Sequence, residues 1–172
     1  MELVTSRLRL RLPRHQDAAW LYTLNQDPLW LRFIGNRGVH SLLDAQRYVD
    51  HCCGHFDNWG YGLLSVELRM TGQPIGMCGL INRQLFRCPD LGFAYLPSGR
   101  GRGYAHEAAS AVIKYAHSAL QFDFLTAMTH LENFDSQKLL LKLGYKRQGK
   151  LFLKGVPAQK FYWLNLLRND IA

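Results

Sequence analysis

Between Asp90 and Ala116 the sequence carries its densest set of residues suited to holding an anion. Gly99-Arg100-Gly101-Arg102-Gly103 follows the short apolar run Leu91-Gly92-Phe93-Ala94-Tyr95-Leu96. Tyr104-Ala105-His106-Glu107 and an alanine-rich stretch come next. A strand entering a glycine loop that opens a helix leaves unpaired N–H groups and partial positive charge at the helix start. Glycines let a phosphate approach that backbone closely. The local reading is a phosphate-binding turn; the competing one is a tight strand-to-helix turn without a ligand. An ATP-type loop is excluded, because Gly-Lys-Ser/Thr is absent, and so is the dinucleotide fingerprint, because Gly99, Gly101 and Gly103 recur at every second residue. What remains is the pattern Arg100-x-x-Gly103-x-Ala105.

Other reactive side chains are less organised. His51 and His55 lie four apart and share a helix face, but Cys52 and Cys53 between them point to different faces. Structural or surface roles are expected there, and no metal is assigned. Cys52, Cys53, Cys78 and Cys88 lack disulfide or zinc spacing, which fits a reducing cytoplasm. The net charge of +8 suits a polyanionic ligand. Arg7, Arg9 and Arg11 form a basic stripe without interleaved aromatics, which disfavours single-stranded nucleic acid as partner. No apolar run approaches the roughly twenty residues of a membrane span, and the amino terminus does not read as a secretion signal.

The elements that must position the turn follow from periodicity. The length suits one domain, residues 1–172. Leu8, Leu10 and Leu12 alternate with Arg7, Arg9 and Arg11, a half-buried strand ended by Pro13. A helix is predicted from His15 to Asn25, stopped by Asp27-Pro28, and Trp30 to Ile34 reads as an apolar patch. Ser41 caps a second helix running to His55, with Asp44 three residues on. Tyr61–Leu68 and Ile75–Ile81 form a hairpin around Thr71-Gly72-Gln73-Pro74. After the strand Asp90–Leu96, Ala105, Ala108, Ala109, Val112, Ile113 and Ala116 make one small-residue helix stripe. Strand Phe122–Met128, a helix from Asn133 to the Gly144 cap, and strands Tyr145–Phe152 and Lys160–Leu167 complete the chain. The fold class is α/β (α+β mixed): a mixed sheet with helices on both faces.

Arg100-x-x-Gly103-x-Ala105 resembles the acyl-CoA loop of the Gcn5-related N-acetyltransferases (GNAT), Gln/Arg-x-x-Gly-x-Gly/Ala. Thr5-Ser6-Arg7-Leu8-Arg9-Leu10-Arg11 resembles the opening of the RimJ/RimL-like ribosomal-protein acetyltransferase branch, Thr-x-Arg-Leu-x-Leu-Arg. Asn133-Phe134-Asp135-Ser136, ending in Lys142-Leu143-Gly144-Tyr145, resembles that family's Asn-x-x-Ser … Lys-Leu-Gly-Phe/Tyr segment. Leu91-Gly92-Phe93 resembles its fourth strand. The order of the elements is also that family's, so the resemblance covers nearly the whole chain.

The resemblance implies a mostly antiparallel sheet of about seven strands, splayed between the family's fourth and fifth strands at a bulge. It implies acetyl-CoA as cosubstrate, without a metal, and transfer to a primary amine in a ternary complex. The acceptor would be a protein N-terminus or a small amine; many relatives form homodimers. Backbone contacts are expected near Phe93 and Tyr95, and diphosphate contacts from Arg100, Gly101, Arg102, Gly103, Tyr104 and Ala105. Asn133 would face the cofactor while also capping its helix. Ser136 would serve the leaving thiolate and Asp90 the amine proton; Glu67, Glu107 and His130 are further base candidates, and Tyr145 is expected in the core. A non-catalytic acyl-CoA-binding or partner-binding module on the same fold is the alternative.

Overall fold

The alternation at the amino terminus is realised as a strand whose two faces do different work. In the computed structural model, which describes residues 1–167, Leu8 and Leu10 are fully buried. Each such leucine contributes about 1.5–3 kcal/mol of apolar burial. The arginines on the opposite face find carboxylates. Arg11 donates to both oxygens of Asp17 at 2.7 and 2.9 Å and to Glu67 at 3.0 Å; Arg9 reaches Glu67 at 3.4 Å.

The chain order is β1 (Glu2–Val4), β2 (Leu8–Arg11), α1 (Ala18–Gln26), α2 (Pro28–Phe33), α3 (Leu42–Trp59), β3 (Leu63–Leu68) and β4 (Pro74–Ile81). It continues with β5 (Asp90–Tyr95), α4 (Tyr104–Ser118), β6 (Phe124–His130), α5 (Phe134–Lys142), β7 (Lys146–Leu153) and β8 (Val156–Asn165). One eight-stranded sheet results, ordered β1-β2-β3-β4-β5-β6-β8-β7. Every neighbouring pair is antiparallel except β5 and β6.

The sheet has one strand more than expected. β1 is three residues long and pairs Glu2–Val4 with Arg9–Arg11, too short for a periodic signal to register. Trp30–Ile34, read as a patch, lies largely in α2. Asp27 starts that helix by accepting the N–H groups of Leu29 and Trp30, and Pro28 occupies its first turn. The helix capped by Ser41 runs to Trp59 and ends at Gly60, whose φ of +74° closes it.

Helices cover both faces. α4 lays Ala108, Ala109, Val112, Ile113 and Ala116 against Leu8, Leu10, Val66 and Leu91, in a core that Leu140 of α5 shares. Small side chains let this helix approach the sheet closely. On the other face, Leu21, Leu24, Trp30, Val49 and Cys52 from α1–α3 meet Met77 of β4.

The parallel seam is almost unpaired. One ladder pair, Asp90 with Thr126, joins β5 to β6, after which the strands part. The register between β4 and β5 runs from Ile81–Asp90 to Gly76–Tyr95 without a shift, so the expected bulge is not part of this ladder. The splay arises instead from the loss of pairing on the β6 side.

α2 spans the parted ends. Its cap, Asp27, accepts from Arg100 Nη2 at 2.7 Å, in the segment after β5. At its far end, Arg32 Nη2 lies 2.8 Å from Glu132 Oε2, and the Phe33 ring packs on His130 at 5.5 Å, both at the end of β6.

Candidate active site

Because β5 and β6 are parallel neighbours, the segments that follow them leave from the same end of the sheet. The first is Leu96–Gly103, leading into α4; the second is Leu131–Asn133, leading into α5. This brings the glycine–arginine loop and the Asn133–Ser136 segment to the two sides of the splay.

The edge of β5 that faces the splay is defined by alternation. Leu96 donates its N–H to Ile75 O on the β4 side, which directs the backbone groups of residues 90, 92 and 94 toward β4 as well. Phe93 and Tyr95 therefore turn their N–H and C=O groups toward β6, beyond the Asp90–Thr126 pair. An extended ligand can add to that edge as a strand would.

The loop beyond β5 ends in a helix start without a side-chain cap. Gly103 is the cap residue, with φ +78°, and Gly101 has φ +72°. The first backbone bond within α4 is from Glu107 N–H to Gly103 O, at 3.1 Å. The N–H groups of Tyr104, Ala105 and His106 thus remain for an anion. The two arginine side chains differ in use. Arg100 is tied to Asp27, whereas Arg102 is exposed. Burial raises the Asp27 carboxyl, and the Arg100 guanidinium outweighs it, leaving the group below the usual carboxylate range.

Across the splay, Asn133 caps α5. Its Oδ1 accepts the Ser136 N–H at 3.1 Å, which leaves the amide nitrogen able to donate elsewhere. Ser136 is half-buried, and its hydroxyl has no hydrogen-bond partner among the described residues. Gln137, which the sequence reading passed over, fixes the turn between β6 and α5. Its Nε2 donates to the carbonyls of His130 and Leu131 at 3.2 and 2.9 Å, and Lys160 holds its Oε1.

Asp90 lies where β5 and β6 part and is 2% exposed. Arg83 Nε donates to Oδ2 at 2.7 Å and Thr126 Oγ1 to Oδ1 at 3.3 Å. Burial pushes this carboxyl up, with Arg83 and Thr126 opposing. The carboxylate that the resemblance assigns to the amine proton is thus buried with both oxygens engaged. Trp163, paired with Thr126 in the β6–β8 ladder, joins Phe86 and Phe124 in lining a recess of about 450 Å³ at the entry ends of β5 and β6, which Asp90 does not line.

The other base candidates are committed elsewhere. Glu67 is bound by Arg9 and Arg11. Glu107 accepts from Thr5, Ser6 and Arg7. His130 Nδ1 accepts the Glu132 N–H at 3.2 Å, so that a neutral ring carries its proton on Nε2. Tyr145 is in the core, as expected, 2% exposed. Cys52 and Cys78 are buried thiols pushed up to about 12, far from the thiolate form that reactivity needs. His55 Nε2 accepts the Asn82 N–H, tying α3 to the loop after β4. No cluster of three or more metal-ligating side chains is found among the described residues.

A mixed sheet parted at a single parallel seam, with an uncapped helix start at its mouth, is the architecture of the acetyltransferase fold. The chain belongs to the GNAT acetyltransferase family, since a family profile described as "Acetyltransferase (GNAT) domain" matches residues 7–146. It is an acetyltransferase. Over 155 residues it is 28% identical to the "Uncharacterized N-acetyltransferase YoaA" of Bacillus subtilis (strain 168), covering 87% of this chain and 85% of that protein. The crystal structure of an acetyltransferase from Agrobacterium tumefaciens str. C58 superposes with a TM-score of 0.82 at 26% identity, covering 96% of this chain and 94% of that one. RimL, a ribosomal alpha-N-protein acetyltransferase in complex with coenzyme A, shares the fold at 14% identity, with a TM-score of 0.77 and coverage of 97% and 98%.

Proposed function

We propose that the protein transfers the acetyl group of acetyl-CoA to a primary amine by direct attack in a ternary complex. The observation that carries this reading is the unpaired edge of β5, which runs from the helix start of α4 to the crotch at Asp90. The six residues of β5 span about 17–20 Å. Acetyl-CoA is extended, with a diphosphate near one end and a thioester at the other, so it suits an anion site joined to a reaction point by an open strand.

In this reading Gly101–Ala105 bind the diphosphate through backbone N–H groups, with Arg100 and Arg102 flanking them. Phe93 and Tyr95 pair with the acyl-bearing arm, and the same edge supplies an N–H to the carbonyl oxygen as its negative charge grows. The Asn133 amide faces the arm across the splay. Acetyl-CoA supplies a thioester whose C–S bond breaks as the C–N bond to the amine forms. Ser136 gives its proton to the departing sulfur, and the proton released by the amine restores it. Asp90, the carboxylate at the crotch, takes through a water relay the earlier proton that an ammonium acceptor sheds before it attacks, because both Asp90 oxygens are already engaged. The second proton, released as the amide forms, is the one that restores Ser136. A protein N-terminal α-amine is the favoured acceptor class: its pKa near 8 leaves a neutral fraction at neutral pH that a lysine lacks, and RimL shares the fold. A cytoplasmic location fits the free cysteines.

Calorimetric titration with acetyl-CoA, free CoA and ATP tests the reading. Micromolar binding of both CoA forms without ATP supports it, and a screen of small amines and N-terminal peptides then identifies the acceptor. If neither CoA form binds, the assignment is wrong. If both bind and no amine is acetylated, the chain is a non-catalytic acyl-CoA module.

A further inference from the structure

Glu107, in the first turn of α4, is held by residues about a hundred positions away. Its Oε1 accepts from Thr5 Oγ1 at 2.6 Å, from Arg7 N–H at 2.9 Å and from Ser6 Oγ at 3.1 Å. Its Oε2 accepts from Arg7 Nε at 2.6 Å. Burial raises this carboxyl, but the bonds from Thr5, Arg7 and Ser6 outweigh burial and keep it ionised. The same Arg7 guanidinium continues to the loop. Nη1 donates to the Arg102 carbonyl at 3.1 Å, and Cζ lies 4.7 Å from the Tyr104 ring centroid. Nη2 would be 3.4 Å from a Cβ at Gly103.

We propose that Arg7, braced by Glu107, is a positioning residue that aims the Gly103 N–H at the diphosphate of acetyl-CoA. In a trans peptide the C=O of one residue and the N–H of the next point in opposite directions. Drawing the Arg102 carbonyl toward Arg7 therefore turns the Gly103 N–H away from Arg7, to the outer side of the loop. Gly103 has no Cβ to limit rotation of that peptide, so an external clamp sets its orientation. Arg100, tied to Asp27, fixes the other end of the loop. Thr5 and Ser6 hold the carboxylate that holds Arg7, which gives the Thr-Ser-Arg turn between β1 and β2 a task at the cofactor loop. A lysine could neutralise Glu107 but could not also reach the Arg102 carbonyl with a second fixed nitrogen.

The inference rests on the acetyl-CoA reading above, and its test separates the two. Dissociation constants for acetyl-CoA and for S-acetylpantetheine, which lacks the diphosphate, are measured by calorimetry and NMR titration, together with melting temperatures. Arg7→Ala is expected to weaken acetyl-CoA about tenfold, the scale of one charge-assisted hydrogen bond, and to leave S-acetylpantetheine unchanged. Arg7→Lys should recover part of the loss. Glu107→Gln should resemble Arg7→Ala, and the double variant should be little worse than either. Failure of the wild-type protein to bind acetyl-CoA overturns the cofactor reading itself. Wild-type binding with an equally tight Arg7→Ala variant overturns the positioning role alone. A parallel loss for both ligands with a lowered melting temperature also overturns it, since the effect is then general destabilisation.

Discussion

Gly103→Val separates a ligand-binding loop from a structural turn. Gly103 has φ +78°, where an L-residue costs about 1–2 kcal/mol. A β-branched side chain at such a position brings the total to about 2–3 kcal/mol. The added Cβ would lie 3.4 Å from Arg7 Nη2, at the edge of ordinary van der Waals contact, so backbone strain dominates the cost. A domain holds about 5–15 kcal/mol, so the variant is expected to fold. At about 2–4 °C per kcal/mol for this size, its melting temperature should fall by about 4–12 °C. Gly101→Ala calibrates the backbone strain in the melting curves. Gly101 has φ +72°, and no atom lies within 4 Å of its Cβ position. Only backbone strain of about 1–2 kcal/mol is then added. Melting curves followed by titration with acetyl-CoA should show Gly103→Val folded but at least about a hundredfold weaker, equivalent to losing about 2.7 kcal/mol of binding. An unchanged dissociation constant would refute the placement of the diphosphate at this helix start. A protein unfolded at 25 °C would refute the strain estimate.

Two further perturbations address the transfer step and stability. Ser136→Ala should lower kcat with the amine found by screening while leaving acetyl-CoA affinity unchanged; equal steady-state rates would remove Ser136 from the mechanism. Asp17→Asn should destabilise the fold by about 1–3 kcal/mol, because it removes one of the two carboxylates on Arg11 and leaves Glu67 alone to pair with it. Burial raises the Asp17 carboxyl, but Arg11, Trp20 and Arg14 outweigh it and lower the group. Its contribution is therefore complete above the unfolded value near 3.9 and is lost as pH falls through the folded value. Urea midpoints between pH 3 and 7 should fall for the wild type on acidification and change less for the variant.

Much of this architecture was legible because its signals are local. The Leu8–Leu10 alternation, the Ser41 cap and the alanine stripe of α4 each state their element within a few residues. The glycine loop likewise announces a helix start open to an anion. Other features depend on partners that periodicity does not name. Glu107 reads from sequence as a helix-dipole carboxylate or a base candidate, and only the fold brings Thr5, Ser6 and Arg7 to it. Asp90 reads as a surface acid until Arg83 and Thr126 enclose it. Gln137 had no signal, because a buried glutamine holding a turn resembles any polar helix residue. The short β1 and α2 escaped for a different reason: three and six residues are too few for a period to repeat.

The six-residue α2 also sets how the mouth of the splay responds to its surroundings. It acts as a tie-bar between two half-sheets that share one ladder pair, and its two fastenings differ in kind. The Asp27 side chain is 8% exposed, so its bond to Arg100 is poorly reached by ions. Arg32 and Glu132 are each 59% exposed, so their attraction fades as the Debye length shortens from about 10 Å at 0.1 M salt to about 3 Å at 1 M. Salt thus weakens the exposed Arg32–Glu132 pair and spares the Asp27–Arg100 pair. The two half-sheets are thereby joined at one side by an ion pair that salt weakens beside the Phe33–His130 packing, and at the other, next to the glycine loop, by one that salt spares.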